Sequence, residues 1–198
     1  MFPFARKKPI ISSQPQYSTD WVSGHTSHWL DLFSSLQNRP QTRYLEIGVF
    51  EGRSLIWMME NILTHSTSRA DVIDNFYDKT ERRLRSNLKW VGLENKVNVY
   101  KGESSQIIPR LDFQYDLVYV DGCHCPPHIM TDGVLAWNKL KPGGFLIFDD
   151  YQLEKDHHIY KSPQVAIDSF VAVFEAELEV RHKDYSMILQ KTSSYRHR

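Results

Sequence analysis

The sequence predicts an α/β fold, a mostly parallel sheet closed at one end by an antiparallel strand pair. Three observations carry this. Apolar strand runs alternate with helical periodicities along most of the chain, the pattern of right-handed crossovers between parallel strands. The last two strand runs are joined by a link too short for a crossover and must be antiparallel. The first strand runs straight into a glycine-punctuated turn and a helix over residues 45–54, Leu-Glu-Ile-Gly-Val-Phe-Glu-Gly-Arg-Ser.

The elements follow in order. Residues 1–20 are polar, contain three prolines and show no periodicity, so they read as an N-terminal arm or lid. Trp29, Leu30, Leu32, Phe33 and Leu36 recur at helical spacing, giving an amphipathic helix that ends near Pro40. Strand one spans about 44–47, and a mostly apolar helix runs about 54–63. Strand two is expected at 71–74, a charged helix at about 79–90, and strand three at 97–100. A short helix carries Ile107 and Ile108, and 115–120 is a clear fourth strand. Pro126-Pro127 opens a helix reaching Leu140, because proline suits the first helical turn. Lys141-Pro-Gly-Gly144 reads as a turn and 145–148 as an unbroken apolar fifth strand. Ser162-Pro163 caps a further helix to about Ala176. Strands at about 177–181 and 185–190 finish the fold. Residues 21–191 thus form one domain, followed by a polar, frayed tail at 192–198.

Composition narrows the function classes. Lys plus Arg equals Asp plus Glu at 24 each, so the net charge is zero and nucleic-acid binding has no compositional support. No apolar run approaches a membrane span. Arg6, Lys7 and Lys8 have no apolar stretch behind them, which argues against a secretory signal, and the expectation is a soluble cytoplasmic protein. Two cysteines, Cys123 and Cys125, make no disulfide framework. Oligomeric state is left open, a homo-oligomer included.

In an open α/β sheet, ligands bind beyond the carboxyl ends of the strands. Those ends read Glu46 and Gly48, Asp74, Gly102-Glu103-Ser104, Asp121, and Asp149-Asp150. Any one acid there could be a cap or turn residue, but five at one sheet edge make a cleft lined with carboxylates. Gly48 and Gly52 let the chain turn tightly and approach a ligand closely, and the helix N-terminus that follows favours polar groups. The spacing is Glu-x-Gly-x-x-x-Gly, with Phe50 where a dinucleotide fold places its second glycine, and Glu46 would repel a pyrophosphate. An acid there suits an amine or a sulfonium, as in S-adenosylmethionine. Asp74, 22 residues beyond Gly52, suits ribose hydroxyls.

These residues resemble the ordered motifs of the class I S-adenosylmethionine-dependent methyltransferases. The motifs are Glu46-Ile-Gly48-Val-Phe-Glu-Gly52-Arg-Ser54, Asp74, Gly102-Glu-Ser104, Asp121-Gly-Cys-His124, and the Lys141-Pro-Gly-Gly144 turn. The likeness covers about residues 40–150 and is closest to small-molecule O-methyltransferases of the catechol and macrocin types. It implies a Rossmann-like methyltransferase fold with a seven-stranded sheet. It implies that Glu46, Gly48 and Gly52 hold the amino-acid end of the cofactor with Ser54 near its carboxylate. Asp74 would take the ribose, Gly102, Glu103 and Ser104, with Ser105, would lie toward the adenine, and Asp121 would border the site. In catechol-type relatives an Asp after strand four and an Asp-Asn pair after strand five hold a divalent ion, positions filled here by Asp121, Asp149 and Asp150. Such a carboxylate set suits Mg²⁺, which would bind an acceptor hydroxyl and lower its pKa. His124 stands where sugar-type relatives place a histidine and would act as base.

Other features have plainer readings. Cys123-His124-Cys125-Pro-Pro-His128 gathers possible zinc ligands, but Cys-x-Cys is not the usual spacing and no second pair exists, so Cys123 reads as pocket lining. His157, His158 and Tyr160 fall in a loop that would cover the acceptor. The leading expectation is methyl transfer to a hydroxyl of a small molecule. The alternatives are a metal-independent methyltransferase with another acceptor atom and a non-catalytic S-adenosylmethionine-binding module.

Overall fold

The computed structural model describes residues 14–24, 26–77, 79–153 and 162–192. Seven strands form one sheet in the order β3-β2-β1-β4-β5-β7-β6. They are β1 (Arg43–Ile47), β2 (Arg69–Asp74), β3 (Val97–Lys101), β4 (Tyr115–Val120), β5 (Leu140–Phe148), β6 (Leu178–Lys183) and β7 (Met187–Lys191). The first five pair in parallel, whereas β7 runs antiparallel to both β5 and β6. The helices are α1 (Thr26–Leu32), α2 (Arg53–Asn61), α3 (Thr80–Val91), α4 (Ser104–Ile107), α5 (Pro126–Lys139) and α6 (Pro163–Phe174). The fold is therefore the seven-stranded α/β sheet the sequence predicts. Among the described residues no helix is long and apolar enough to cross a membrane.

Strand alternation sorts the side chains into two cores. Tyr44 of β1 packs with Trp29, Leu55, Met58 and Leu84 in one layer, while Leu45 and Ile47 pack with Val118, Ile129, Trp137 and Phe170 in the other. Each fully buried apolar side chain contributes about 1.5–3 kcal/mol. Charged groups that enter the interior, Asp116 and Lys191 among them, are paired. Asp116 accepts from Arg39, Lys141 and the Arg43 N–H at 2.8 Å each. Lys191 donates to the Trp137 and Leu140 carbonyls, closing the C-terminal end of α5, and burial lowers its pKa.

Three boundaries differ from expectation. The first helix stops at Leu32 and continues as a 3-10 turn at Ser34–Leu36. Lys141-Pro-Gly-Gly144 is not a turn between elements but part of β5. Tyr115 pairs with Leu140 and Leu117 with Phe145, so those residues bulge out of the ladder, with Gly143 at φ +80°. The segment before β6, Glu175–Glu177, is 3-10 helix, so the closing pair is shifted toward the C-terminus.

The site follows from this topology. From β1 the chain crosses to β2 on one side, and β4 pairs with β1 on the other, so the sheet switches direction between β1 and β4. A crevice opens at such a point beyond the carboxyl ends of the strands. Residues 14–24, including the described end of the predicted arm, pack beside it. Gln16 and Asn87 exchange hydrogen bonds of 2.9 Å, the Ser18 N–H donates to Glu51 at 2.6 Å, and Arg53 pairs with Asp20 at 2.5 Å.

Candidate functional site

The turn after β1 is shaped by contacts that only certain residues allow. Gly48 has φ +88°, and a Cβ there would stand 1.9 Å from the carbonyl oxygen of Asp121. Its absence lets the ends of β1 and β4 touch. Phe50 also lies at positive φ, +48°, which is uncommon outside glycine. Its N–H donates to Asp74 Oδ2 at 2.8 Å, while Asp74 Oδ1 accepts from the Phe76 N–H at 2.7 Å. Asp74 thus fastens the turn from the neighbouring strand. Gly52, φ +83°, is the N-cap of α2, and a Cβ there would meet Leu84 Cδ1 at 2.4 Å. It serves packing of α2 against α3 and does not line the crevice.

Glu46 also lies outside the crevice lining. It alternates with Leu45 and Ile47, so its side chain enters the layer beneath α2, where it is fully buried. Tyr44 donates its hydroxyl to Oε2 at 2.8 Å and Ser54 donates to Oε1. Burial pushes the Glu46 carboxyl up to about 8, against the opposing pull of the Ser54 and Tyr44 bonds. The carboxyl is therefore mostly protonated at neutral pH in this state, and only Ser54 of this group reaches the cavity.

The cavity has a volume of about 980 Å³. One half is lined by Gly48, Phe50, Ser54, Asp74, Gly102, Glu103 and Ser104, at the ends of β1, β2 and β3. The other is lined by Asp121, His124, Asp149, Asp150 and Tyr185, from the ends of β4 and β5 and from the β6–β7 link. Ser105 does not line it. Burial holds the Asp121 carboxyl well above its ordinary range, and the nearby charges of Asp149, Asp150, Glu46 and Asp74 add to this. Tyr119 donates to Asp149 at 2.6 Å and Tyr185 to Asp150 at 2.8 Å. Burial and these acids raise the pKa of both phenols, so they stay donors. His124 Nε2 meets Asp150 Oδ2 at 2.8 Å. One ligand atom each from Asp121, His124 and Asp150 lies within 4.8 Å of the others, so these three could close on a cation. His157, His158 and Tyr160 lie outside the described residues.

Several cavity residues escaped sequence reasoning. Glu51, inside the glycine turn, is buried and accepts from Arg83 and from the Ser18 N–H. Asp132 of α5 accepts from Ser104 Oγ at 2.5 Å, and burial raises its carboxyl pKa despite that bond. An acid facing inward on a helix whose other buried positions are Ile129, Gly133, Ala136 and Trp137 was the available signal. Tyr17 comes from the segment read as an arm and Trp21 directly follows it, its ring 5.6 Å from the Phe50 ring.

Residues 45–151 match the family model described as a methyltransferase domain. Among curated proteins, the chain is 27% identical to the uncharacterized protein R132 of Acanthamoeba polyphaga mimivirus, over 84% of this chain and 78% of that protein. It is 27% identical to the O-methyltransferase hkm8 of Aspergillus hancockii over 62% of this chain, a match spanning 47% of that enzyme. Among solved structures, the O-methyltransferase TomG of Streptomyces achromogenes, in complex with SAM, superposes with a TM-score of 0.70 at 22% identity. That match covers 87% of this chain and 82% of TomG. The methyltransferase MycE, in complex with Mg, SAH and mycinamycin VI, gives 0.65 at 16% identity, covering 88% of this chain and 51% of MycE.

Proposed function

The chain belongs to the methyltransferase-domain family, and from that premise we propose that it moves a methyl group from S-adenosylmethionine to a hydroxyl oxygen of a small molecule, with a divalent ion at the acceptor end. The observation that carries the reading is the shared cavity, with the glycine turn and Asp74 on one side and the Asp121, Asp149 and Asp150 carboxylates on the other. The magnesium of the MycE complex and the O-methyltransferase names of hkm8 and TomG support the same choice.

Each residue then has a task. Gly48 and Ser54 receive the amino-acid end of the cofactor, and Glu46 acts from below by orienting Ser54. Asp74 uses each oxygen once on a backbone N–H and keeps remaining lone pairs for ribose hydroxyls. Ser104, held by Asp132, faces the adenine side with Gly102 and Glu103. Asp121, Asp149 and Asp150 would hold the ion. The set fits a hard cation, since crowded carboxylates that raise the Asp121 pKa would be relieved by positive charge among them. An ion bound there supplies charge that lowers the pKa of the acceptor hydroxyl.

The transfer itself is a displacement. The acceptor oxygen bonds to the methyl carbon as the carbon–sulfur bond breaks, and the sulfonium becomes a neutral thioether. The hydroxyl proton passes to His124 Nδ1, while Asp150 holds the Nε2 side of the ring and sets its orientation. Placing the oxygen in line with the methyl–sulfur bond is most of what the walls of the cavity provide. A second reading makes His124 a ligand of the ion with Asp121 and Asp150, because their ligand atoms converge within 4.8 Å.

Calorimetric titration with S-adenosylhomocysteine, alone, with Mg²⁺ and after chelation, tests the proposal. It predicts saturable binding of the analogue and a separate Mg²⁺ isotherm lost in Asp150→Asn. No binding at millimolar analogue would overturn it. Analogue binding without a Mg²⁺ isotherm would remove the ion from the scheme.

A further inference from the structure

The link between β4 and α5 and the first turn of α5 carry side chains that methyl transfer does not use. Cys123, Cys125 and His128 each present one ligand atom, and these atoms lie within 4.8 Å of one another. In sequence, Cys-x-Cys lacks the spacing and the distant second pair of a closed structural zinc site, and the chain has no other cysteine. An open site needs no second pair. Two thiolates and one imidazole, with the fourth position left to water or another ligand, form a known zinc arrangement. Around a tetrahedral ion with Zn–S about 2.3 Å and Zn–N about 2.0–2.1 Å, ligand atoms stand about 3.6–3.8 Å apart. Closing from the present spacing thus takes a movement of no more than about 1 Å, among three exposed side chains.

Two simpler roles for these thiols do not fit. Cysteine is among the most buried residue types, yet both are exposed, and neither is in a disulfide. Cys125 stands at the N-cap of α5, a place suited to Ser, Thr, Asp or Asn, and makes no side-chain capping bond there. The surroundings instead resemble those of a metal ligand set. The Cys125 N–H points to Cys123 Sγ at 3.5 Å, a bond that a metal-bound thiolate also accepts. Asp132 lies one turn beyond His128 and within its electrostatic reach, and a carboxylate behind a histidine ligand commonly fixes its ring.

We propose that Cys123, Cys125 and His128 bind a thiophilic divalent cation of the Zn²⁺ class at the edge of the cavity. Cys123 and His128 both line that cavity, so the fourth coordination position is available to water or to a donor atom of a molecule lodged there. The site is distinct in softness from the carboxylate set at Asp121 and Asp150, which suits hard ions. It does not depend on the methyl-transfer reading and stands or falls separately.

The test is Co²⁺ titration of the reduced, chelator-treated full-length protein with excess Mg²⁺ present to occupy carboxylates. The proposal predicts a sulfur-to-cobalt charge-transfer band that saturates at about one equivalent and is displaced by Zn²⁺. Cys123→Ser and Cys125→Ser should each abolish the wild-type band, whereas Asp150→Asn should leave it. Far-ultraviolet circular dichroism checks that the variants are folded. In the wild type, Zn²⁺ but not Mg²⁺ should slow alkylation of both cysteines, a measurement that needs no variant. Cobalt spectra without sulfur charge transfer, a band that survives both substitutions, or alkylation indifferent to Zn²⁺ would overturn the proposal. So would a band that forms only as two chains join.

Discussion

Replacing Glu46 by glutamine isolates the buried acid beneath the glycine turn. The carboxyl is fully buried, accepts from Tyr44 and Ser54, and is pushed by burial from 4.5 up to about 8. Because the folded value lies above the unfolded one, the unfolded chain releases a proton in this window that the folded chain keeps. Glu46 therefore makes stability fall as pH rises between 4.5 and about 8. The slope is about 1.4 kcal/mol per pH unit, so about 3 kcal/mol is lost between roughly pH 5 and pH 7.5. Glutamine has nearly the shape of the protonated acid, with an NH₂ group in place of its O–H, and does not titrate, so E46Q escapes the loss. Urea unfolding of both proteins at the two pH values should show the variant gaining about 3 kcal/mol on the wild type. For a chain of this length that corresponds to roughly 6–12 °C in relative Tm. Parallel pH profiles would refute the reasoning, because they would mean that Glu46 is ionised in the folded protein and neutralised by a partner.

Two further outcomes follow from the turn. Gly48→Ala would set a methyl 1.9 Å from the Asp121 carbonyl at φ +88°, so it should destabilise by about 3 kcal/mol or more, read by urea unfolding. Gly122→Ala, whose nearest atom beyond its chain neighbours is Ile47 Cγ2 at 3.4 Å, should lose less than half of that. Asp74→Asn can accept only one of the two backbone bonds that hold Phe50 and Phe76, a loss of about 1.5–3 kcal/mol. Calorimetry should then show S-adenosylhomocysteine binding weakened about tenfold or more.

Much of the fold was legible because most of the parallel strands have a buried, largely apolar centre, β3 being the half-exposed exception. The fourth strand, 115–120, was read with its observed bounds since all six of its residues are buried. The bulge in β5 was not legible, because its existence depends on how the neighbouring strand pairs. At the site, the strand-end rule found Gly48, Asp74, Ser104, Asp121, Asp149 and Asp150, all of which line one cavity. Glu46 and Gly52, expected to hold the cofactor's amino-acid end, lie outside the cavity lining. Strand alternation alone sends Glu46 to the face opposite Leu45 and Ile47, under α2. The partners of Asp74 and Ser104, Phe50 and Asp132, lie 24 and 28 residues away, pairings that no helical or strand periodicity reports. The convergence of Cys123, Cys125 and His128 depends on the path of a short loop in the same way.

The central claim is that one cavity holds the cofactor beside a carboxylate-bound ion. Crystals grown with S-adenosylhomocysteine and Mn²⁺, measured at the manganese absorption edge, test it most directly. The account predicts the analogue between Gly48 and Asp74, and an anomalous peak within the cluster of Asp121, Asp149 and Asp150. An analogue seated elsewhere, or a manganese peak outside this cavity, would contradict it.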